Sequence, residues 1–275
     1  MSIDVSPTQA FPREDATRTL TTRWEAAKGV MSPSRYRLYV SYACPWSHRV
    51  LIARQLSKLE NAVELVEVEP EMDDIGWRLG GHHLADCYRA YAPGYIGKAS
   101  VPLMIEIENG QAVSNTSADL MRMFGTWSSD FGHLLYPAEY AAECDVWNAD
   151  VETNVNKRVY QFGFAASKEE KDMKTSALMK TFLNLDDLLA KRRYLASSDT
   201  PLEPDWRLWT TLARYELAYP PFMLSRSALP LLDLPNLARF FDDLLTVQGI
   251  PETYRPDEIV AHYSARLRDF KIDHC

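Results

Sequence analysis

A β-rich run that ends at Cys44-Pro45 and continues as a helix constrains the fold more than any other feature of the sequence. Residues 35–43, RYRLYVSYA, favour extended structure and predict a strand. Residues 47–60 predict an amphipathic helix, with Arg49 outside its apolar stripe, and residues 63–70, VELVEVEP, predict a second strand. The two strands of such a βαβ unit are expected to be parallel.

The rest of the first half adds two strands and a helix. Residues 102–107, PLMIEI, predict a third strand, and Asn109-Gly110 is a strong signal for a hairpin to a fourth. A helix is predicted from about residue 115 to residue 124, whereas residues 71–100 contain the least regular stretch of this half. The order is therefore β-α-β, an irregular region, and β-β-α.

The pattern changes at Pro137. Strand-like runs disappear and helical periodicity takes over, with prolines such as Pro220-Pro221 in the gaps between helices. The predicted helices of this half are 137–163, 168–191, 203–217, 235–247 and 256–268. The fold class is therefore α/β plus all-α. The predicted division is an extension at 1–34, an α/β domain at 35–126 and an all-helical domain at 137–275.

Charge and cysteine spacing exclude several classes of protein. The formal net charge is −8 at pH 7 and no basic run is present, which argues against nonspecific nucleic-acid binding and against anionic membranes. No apolar run approaches the ~18 residues that span a bilayer, and MSIDVSPTQAFPRED lacks the pattern of a secretory signal. The four cysteines form no CxxC pair and no zinc-ligand spacing, and His82-His83 has no suitable further ligand. We expect a cytoplasmic protein with reduced thiols and no metal site.

Cys44 is the candidate nucleophile. It lies where a strand gives way to a helix, and the free N–H groups of a helix N-terminus favour a thiolate. A thioredoxin-like dithiol would carry its second cysteine at position 47, where this chain has Ser47. A mixed disulfide at Cys44 therefore requires an external thiol to resolve it. The alternative is that Cys44 is a small buried core residue, as many free cysteines are.

Several motifs occur together and in order. They are LYVSYACPWSHRVLIAR at 38–54, GW at 76–77, GKASVP at 97–102, VSNTSADLMRMF at 113–124, VYQFGFA at 159–165, RRYL at 192–195, DWRLWTTLARYE at 205–216 and DLPNL at 233–237. In these segments the chain resembles the Xi-class glutathione transferases, the glutathionyl-hydroquinone reductases, whose active-site motif reads CPWAH. This resemblance implies a thioredoxin-like N-terminal domain followed by an all-helical C-terminal domain.

The resemblance also implies roles for individual residues. Cys44 would remove glutathione from a glutathionyl-hydroquinone as a mixed disulfide, which a second glutathione then resolves. Tyr160 and Tyr263 would face the aromatic substrate, and the Val101–Pro102 peptide would be cis. A homodimer is also implied. The residues expected to hold glutathione are Trp77, Lys98, Val101, Pro102, Thr116 and Ser117.

Some positions depart from the family pattern. Thr116 stands where the family has Glu, Lys98 stands where it usually has Arg, and Ser264 replaces a Tyr. These departures keep open a related cysteine-type transferase that acts in thiol–disulfide exchange, β-ether cleavage or reductive dehalogenation, and a non-enzymatic binding protein on the same fold. Two further alternatives are that Tyr160 is a core residue and that His48 is structural and does not tune the thiol.

Overall fold

The computed structural model describes residues 35–127, 135–165 and 167–270. Its first part is a four-stranded sheet with helices on both faces and a second, smaller sheet beside it. The predicted extension at 1–34 and Cys275 lie outside the described residues. The elements of this part are β1 Tyr36–Val40, α1 Pro45–Leu56, β2 Val63–Glu67, β3 Met72–Asp73, β4 Gly76–Leu79, β5 His82–His83, α2 Leu84–Tyr91, β6 Leu103–Glu106, β7 Gln111–Ser114 and α3 Ser117–Trp127.

The main sheet has the strand order β2-β1-β6-β7. β1 pairs in parallel with β2, as the βαβ pattern predicts, and β6 runs antiparallel to both β1 and β7. Alternate side chains of β1 point to opposite faces, so Leu38 and Val40 pack under α1 and α3 while Tyr39 packs on the other face with α2. Cys44 follows β1, at the edge of the sheet where the antiparallel strand β6 begins.

The loop region predicted within 71–100 holds short regular elements that the sequence did not predict. The small sheet β3-β4-β5 and helix α2 lie there. These strands have between two and four residues, too few to show an alternating pattern. The turn between β4 and β5 depends on Gly80 and Gly81, both at positive φ, where glycine is favoured.

The second part is helical, and the first of its predicted helices is divided into several segments. Residues 137–163 form a 3₁₀ turn, an α-helix, a π-helical segment at Glu152–Asn156 and a 3₁₀ segment at Arg158–Phe164. Pro220 and Pro221 lie inside the last turn of a helix, not in a gap, because burial of Ala218 and Tyr219 holds that turn helical. The α-helices are α4 Ala141–Val151, α5 Lys168–Leu189, α6 Glu203–Phe222, α7 Pro235–Leu245 and α8 Pro256–Phe270.

The two parts share one hydrophobic core. α1 packs against both α3 and α6, and a continuous cluster of buried side chains joins the sheet to α5, α6 and α7. α1 is buried on nearly all sides, so the prediction that Arg49 lies on a polar face is wrong. Arg49 is 1% exposed and donates to the Glu152 carboxylate and the Asn156 side-chain oxygen at 3.0 and 3.1 Å. Within the described residues, no helix combines the length and low charge that a membrane span requires.

Candidate active site

Cys44 is the N-terminal cap of α1. Its backbone is extended, with φ −82° and ψ 124°, and Pro45 begins the helix with a φ that suits a first turn. The Cys44 N–H donates to Ser41 O at 3.1 Å, which closes the turn after β1, and its carbonyl accepts the His48 N–H at 2.9 Å. The cysteine is 7% exposed, and its side chain makes no capping hydrogen bond. The thiol therefore lies beside a helix N-terminus without a capping hydrogen bond to it.

The Val101–Pro102 peptide is cis, as expected, and it borders the thiol. Sγ of Cys44 lies 3.7 Å from the carbonyl oxygen of Val101. Cys44, Val101 and Trp77 belong to the same buried cluster on one face of the sheet. The Trp77 indole in β4 stacks on the His262 ring at a centroid distance of 5.2 Å, so α8 of the helical part closes this side of the site.

Ser117 opens α3, where the free N–H groups of a helix suit a carboxylate. Ser117 is buried, and the backbone N–H of the preceding Thr116 donates to Ser114 Oγ at 3.1 Å. Lys98 is exposed, in the loop before the cis peptide, and its carbonyl accepts the Tyr95 hydroxyl at 3.2 Å. Ser117 is thus at a helix N-terminus, and Lys98 lies in the loop that leads to the cis peptide.

Three tyrosine hydroxyls meet on the helical side of the site. The Tyr160 hydroxyl lies 2.6 Å from the Tyr263 hydroxyl and 3.4 Å from the Tyr219 hydroxyl. The Tyr160 ring lies 5.2 Å from the ring of Trp46, two residues after Cys44, and Tyr263 is close enough to Cys44 for the two to interact electrostatically. The structure thus brings Tyr160 and Tyr263 together near the thiol and adds Tyr219, which the sequence had not indicated.

Burial keeps these phenols protonated. It raises the pKa of Tyr160 and Tyr219 well above the ordinary value, and it raises that of Tyr263 as well. The positive charge of Arg214 opposes the shift at Tyr219 and Tyr263. At neutral pH the cluster therefore consists of neutral hydroxyls, which can donate hydrogen bonds or a proton.

His48 faces away from the thiol, into the core. Its Nδ1 lies 3.0 Å from the Arg214 guanidinium and its Nε2 lies 3.1 Å from Thr253 Oγ1. Because Arg214 can only donate, Nδ1 accepts and Nε2 carries the proton. Burial, with a further effect from Arg214, lowers the pKa of His48 well below its ordinary value, so the ring is neutral. These contacts favour a structural role for His48 over direct tuning of the thiol.

Cys87, Cys144 and His83 do not have the features of a reactive thiol or a metal site. Burial raises the pKa of Cys144 to about 12 and also raises that of Cys87, so neither thiol is activated. His83 pairs with Asp73 at 2.9 Å. No group of three or more His, Cys, Asp or Glu side chains suited to a metal was found in the part of the chain that the structure describes.

Sequence and structure comparisons assign the family. Models of the glutathione S-transferase N-terminal and C-terminal domains match residues 43–127 and 168–243. Glutathionyl-hydroquinone reductase YqjG of Escherichia coli is 33% identical over 87% of this chain and 80% of its own. Glutathionyl-hydroquinone reductase PcpF of Sphingobium chlorophenolicum is 32% identical over 84% and 78%. The chain belongs to the glutathione S-transferase family.

Solved structures place it among the Xi-class members of that family. The glutathione-bound structure of E. coli YqjG superposes with a TM-score of 0.79 at 34% identity, over 85% of this chain and 80% of that one. The Xi-class transferase of Natrialba magadii superposes with a TM-score of 0.79 at 32% identity, over 88% and 80%. The predicted fold, a thioredoxin-like part followed by a helical glutathione transferase part, is thereby confirmed.

The family models cover the sheet side of the site but not its phenols. The segment from Cys44 to Ser117 lies within the matched N-terminal model. Tyr160 falls between the two matched ranges and Tyr263 lies beyond the second. In this glutathione transferase the evidence for the phenol pair is therefore the geometry itself, with two hydroxyls 2.6 Å apart beside the turn that carries the thiol.

Proposed function

We propose that this glutathione transferase is a reductase that removes glutathione from glutathionyl-hydroquinones or similar aromatic conjugates. The observation that carries the proposal is the meeting of a helix-capping thiol, Cys44, with the paired hydroxyls of Tyr160 and Tyr263. The similarity to two proteins named glutathionyl-hydroquinone reductase supports the same assignment. Glutathione is the cosubstrate.

In the first half-reaction, the Cys44 thiolate attacks the sulfur that joins glutathione to the aromatic ring. A disulfide bond forms between Cys44 and glutathione, and the ring carbon–sulfur bond breaks. Its electron pair stays on the ring carbon, which must take up a proton. A neutral phenol beside the ring can hydrogen-bond a ring oxygen and supply that proton, and Tyr160 and Tyr263 are the candidates.

In the second half-reaction, an external thiol restores the enzyme. Position 47 holds a fully buried serine, so the motif supplies no resolving cysteine. The thiolate of a second glutathione attacks the glutathione sulfur of the mixed disulfide and releases Cys44 as a thiolate. The balance is one conjugate and one glutathione consumed, with one hydroquinone and one oxidised glutathione formed.

Glutathione would lie along the sheet part. The backbone of Val101 before cis Pro102 suits the peptide groups of glutathione, and the N-terminus of α3 at Ser117 suits its γ-glutamyl carboxylate. The residues that we propose to contact it are Trp77, Lys98, Val101, Pro102, Thr116 and Ser117. We also propose a homodimer in the cytoplasm, a compartment that keeps Cys44 reduced.

The direct test is turnover of a synthetic glutathionyl-hydroquinone with added glutathione. We expect hydroquinone and oxidised glutathione in equal amounts, no activity in Cys44→Ser, and full activity in Cys87→Ser as the matched control. Intact-protein mass spectrometry after incubation with oxidised glutathione should show one glutathione on Cys44. An internal disulfide, seen as the loss of two hydrogens, or conversion without Cys44, would contradict the mechanism.

Thiol–disulfide exchange on small mixed disulfides is the second candidate. The observation that favours it is Thr116 in place of the family's Glu and Lys98 in place of Arg, which alter the expected glutathione contacts. Exchange needs Cys44 but no proton donor for a carbon leaving group. Turnover of mixed disulfides without release of hydroquinone from the conjugate would establish this alternative.

A further inference from the structure

Arg214 lies directly behind the turn that carries the candidate thiol. It is on α6, fully buried, and its guanidinium makes four hydrogen bonds. Two of them go to the carbonyls of Tyr42 and Ala43, at 2.8 and 2.9 Å, the two residues before Cys44. The others go to Thr210 O and His48 Nδ1. One side chain of the helical part thus holds the backbone just before Cys44 and, through His48, the helix that follows it.

No carboxylate pairs with Arg214 among the described residues, which is unusual for a cation removed from water. The ionisable groups around it are His48 on α1, Tyr219 on its own helix, and Tyr254 and Tyr263 from the C-terminal segment. All four are neutral at pH 7 in this setting. The field of Arg214 is therefore available to any negative charge that forms in the site.

Arg49 provides the contrast. It is equally buried, and it also joins the sheet part to the helical part. Its guanidinium, however, forms an ion pair with the Glu152 carboxylate at 3.0 Å. Arg49 is thus a structural cation with a permanent partner, whereas Arg214 binds only carbonyl oxygens and a neutral ring.

We propose that Arg214 is a positioning residue whose hydrogen bonds hold the Tyr42–Ala43–Cys44 turn against the phenol cluster, and whose charge stabilises negative charge that develops in the site. The reaction creates such charge on the ring as the carbon–sulfur bond breaks. The expected loss of kcat rests on the proposed function. The expected change in the reactivity of Cys44 does not depend on the substrate.

The test compares full-length Arg214→Met and Arg214→Lys with Arg49→Met as the control for loss of a buried arginine. The first readout is the rate of Cys44 alkylation by iodoacetamide at pH 7, followed at the level of the Cys44 peptide. A unit charge within ~10 Å of an anion, at an effective dielectric of ~20, stabilises that anion about tenfold. We expect Arg214→Met to alkylate about tenfold more slowly, because the charge and the hydrogen bonds to the turn are both lost. Arg49→Met should lose stability but keep the wild-type rate.

The second readout is kcat on a glutathionyl-hydroquinone. Arg214→Lys keeps the charge but loses the planar fork that reaches both carbonyls, so it should keep the alkylation rate and lose about tenfold or more in kcat. If Arg214→Met does not fold, Arg214→Lys decides: an unchanged kcat, or an alkylation rate that falls as far as kcat, overturns the proposal. An unchanged alkylation rate in folded Arg214→Met also overturns it. Failure of the wild type to release hydroquinone contradicts the proposed function instead, because alkylation needs no glutathione.

Discussion

Replacing Tyr160 with Phe separates the chemistry of the carbon leaving group from that of the thiol. The substitution removes one hydroxyl and leaves the ring beside Trp46 in place. Tyr263 then loses the hydroxyl partner at 2.6 Å, and Tyr219 loses its contact at 3.4 Å. Tyr219 and Tyr263 keep each other as hydrogen-bond partners, so the variant should lose no more than about 1–3 kcal/mol and should stay folded.

The expected catalytic effect is larger and selective. Departure of the ring carbon needs a proton, and general-acid assistance contributes about 10²–10⁴-fold to such steps. The kcat of Tyr160→Phe on a glutathionyl-hydroquinone should therefore fall by about that factor. Formation of the Cys44–glutathione adduct from oxidised glutathione should stay nearly unchanged, because the leaving group there is a thiolate.

The assay measures both reactions on the same preparation, by hydroquinone release and by intact-protein mass. Equal losses in the two reactions would show that Tyr160 positions Cys44 or supports the fold. No loss in either would remove Tyr160 from the mechanism and would leave Tyr263 as the remaining candidate donor. Tyr263→Phe, measured in parallel, distinguishes the two phenols.

Two further predictions follow from the glutathione contacts and from the buried histidine. Thr116→Glu should tighten glutathione binding, because it adds a carboxylate for the glutathione ammonium and a charge-assisted hydrogen bond contributes roughly 1.5–3 kcal/mol; calorimetry that shows no gain would mean that the pocket is built differently. His48 should lower stability as pH drops below 6.5, because the unfolded chain protonates it while the native ring, whose pKa is lowered by burial, stays neutral. Asp205, whose pKa burial raises to about 7, acts in the opposite direction over the same range. At pH 5.5 the contribution of His48 amounts to about 1.4 kcal/mol. Urea unfolding should show that the free energy of unfolding falls more, or rises less, between pH 7.5 and pH 5.5 in the wild type than in His48→Gln, and an equal change in the two proteins would exclude a contribution from His48.

The sequence predicts those parts of the fold that extend over at least one full period of their pattern. β1, α1 and β2 are long enough for their apolar spacing to distinguish strand from helix, and their parallel pairing follows from the connection. The small sheet at 72–83 is too short to show a period, and the π-helical break at Glu152–Asn156 depends on packing that the local sequence does not reveal. The boundaries at 34, 126 and 137, like the homodimer, stay predictions.

The candidate site divides in the same way. Cys44, Val101 and Pro102 could be found from local motifs, since a strand end, a helix start and a cis-proline match are each visible in a few residues. Arg214 was missed because an arginine within a helix is ordinarily a surface residue. The available signal was its place in LWTTLARYELAY, where apolar residues surround it on both sides. Its partners Tyr42 and Ala43 are more than 170 positions away in the chain, beyond the reach of any local pattern.

The buried arginines explain why the thiol depends on the helical part. Arg49 belongs to the sheet part and finds its carboxylate on Glu152, whereas Arg214 belongs to the helical part and finds its acceptors on Tyr42 and Ala43. Each cation would lose these partners if the two parts separated. The same contacts that oppose separation also hold the Cys44 turn beside the Tyr160 phenol. The contacts that hold the two parts together therefore also place the candidate nucleophile.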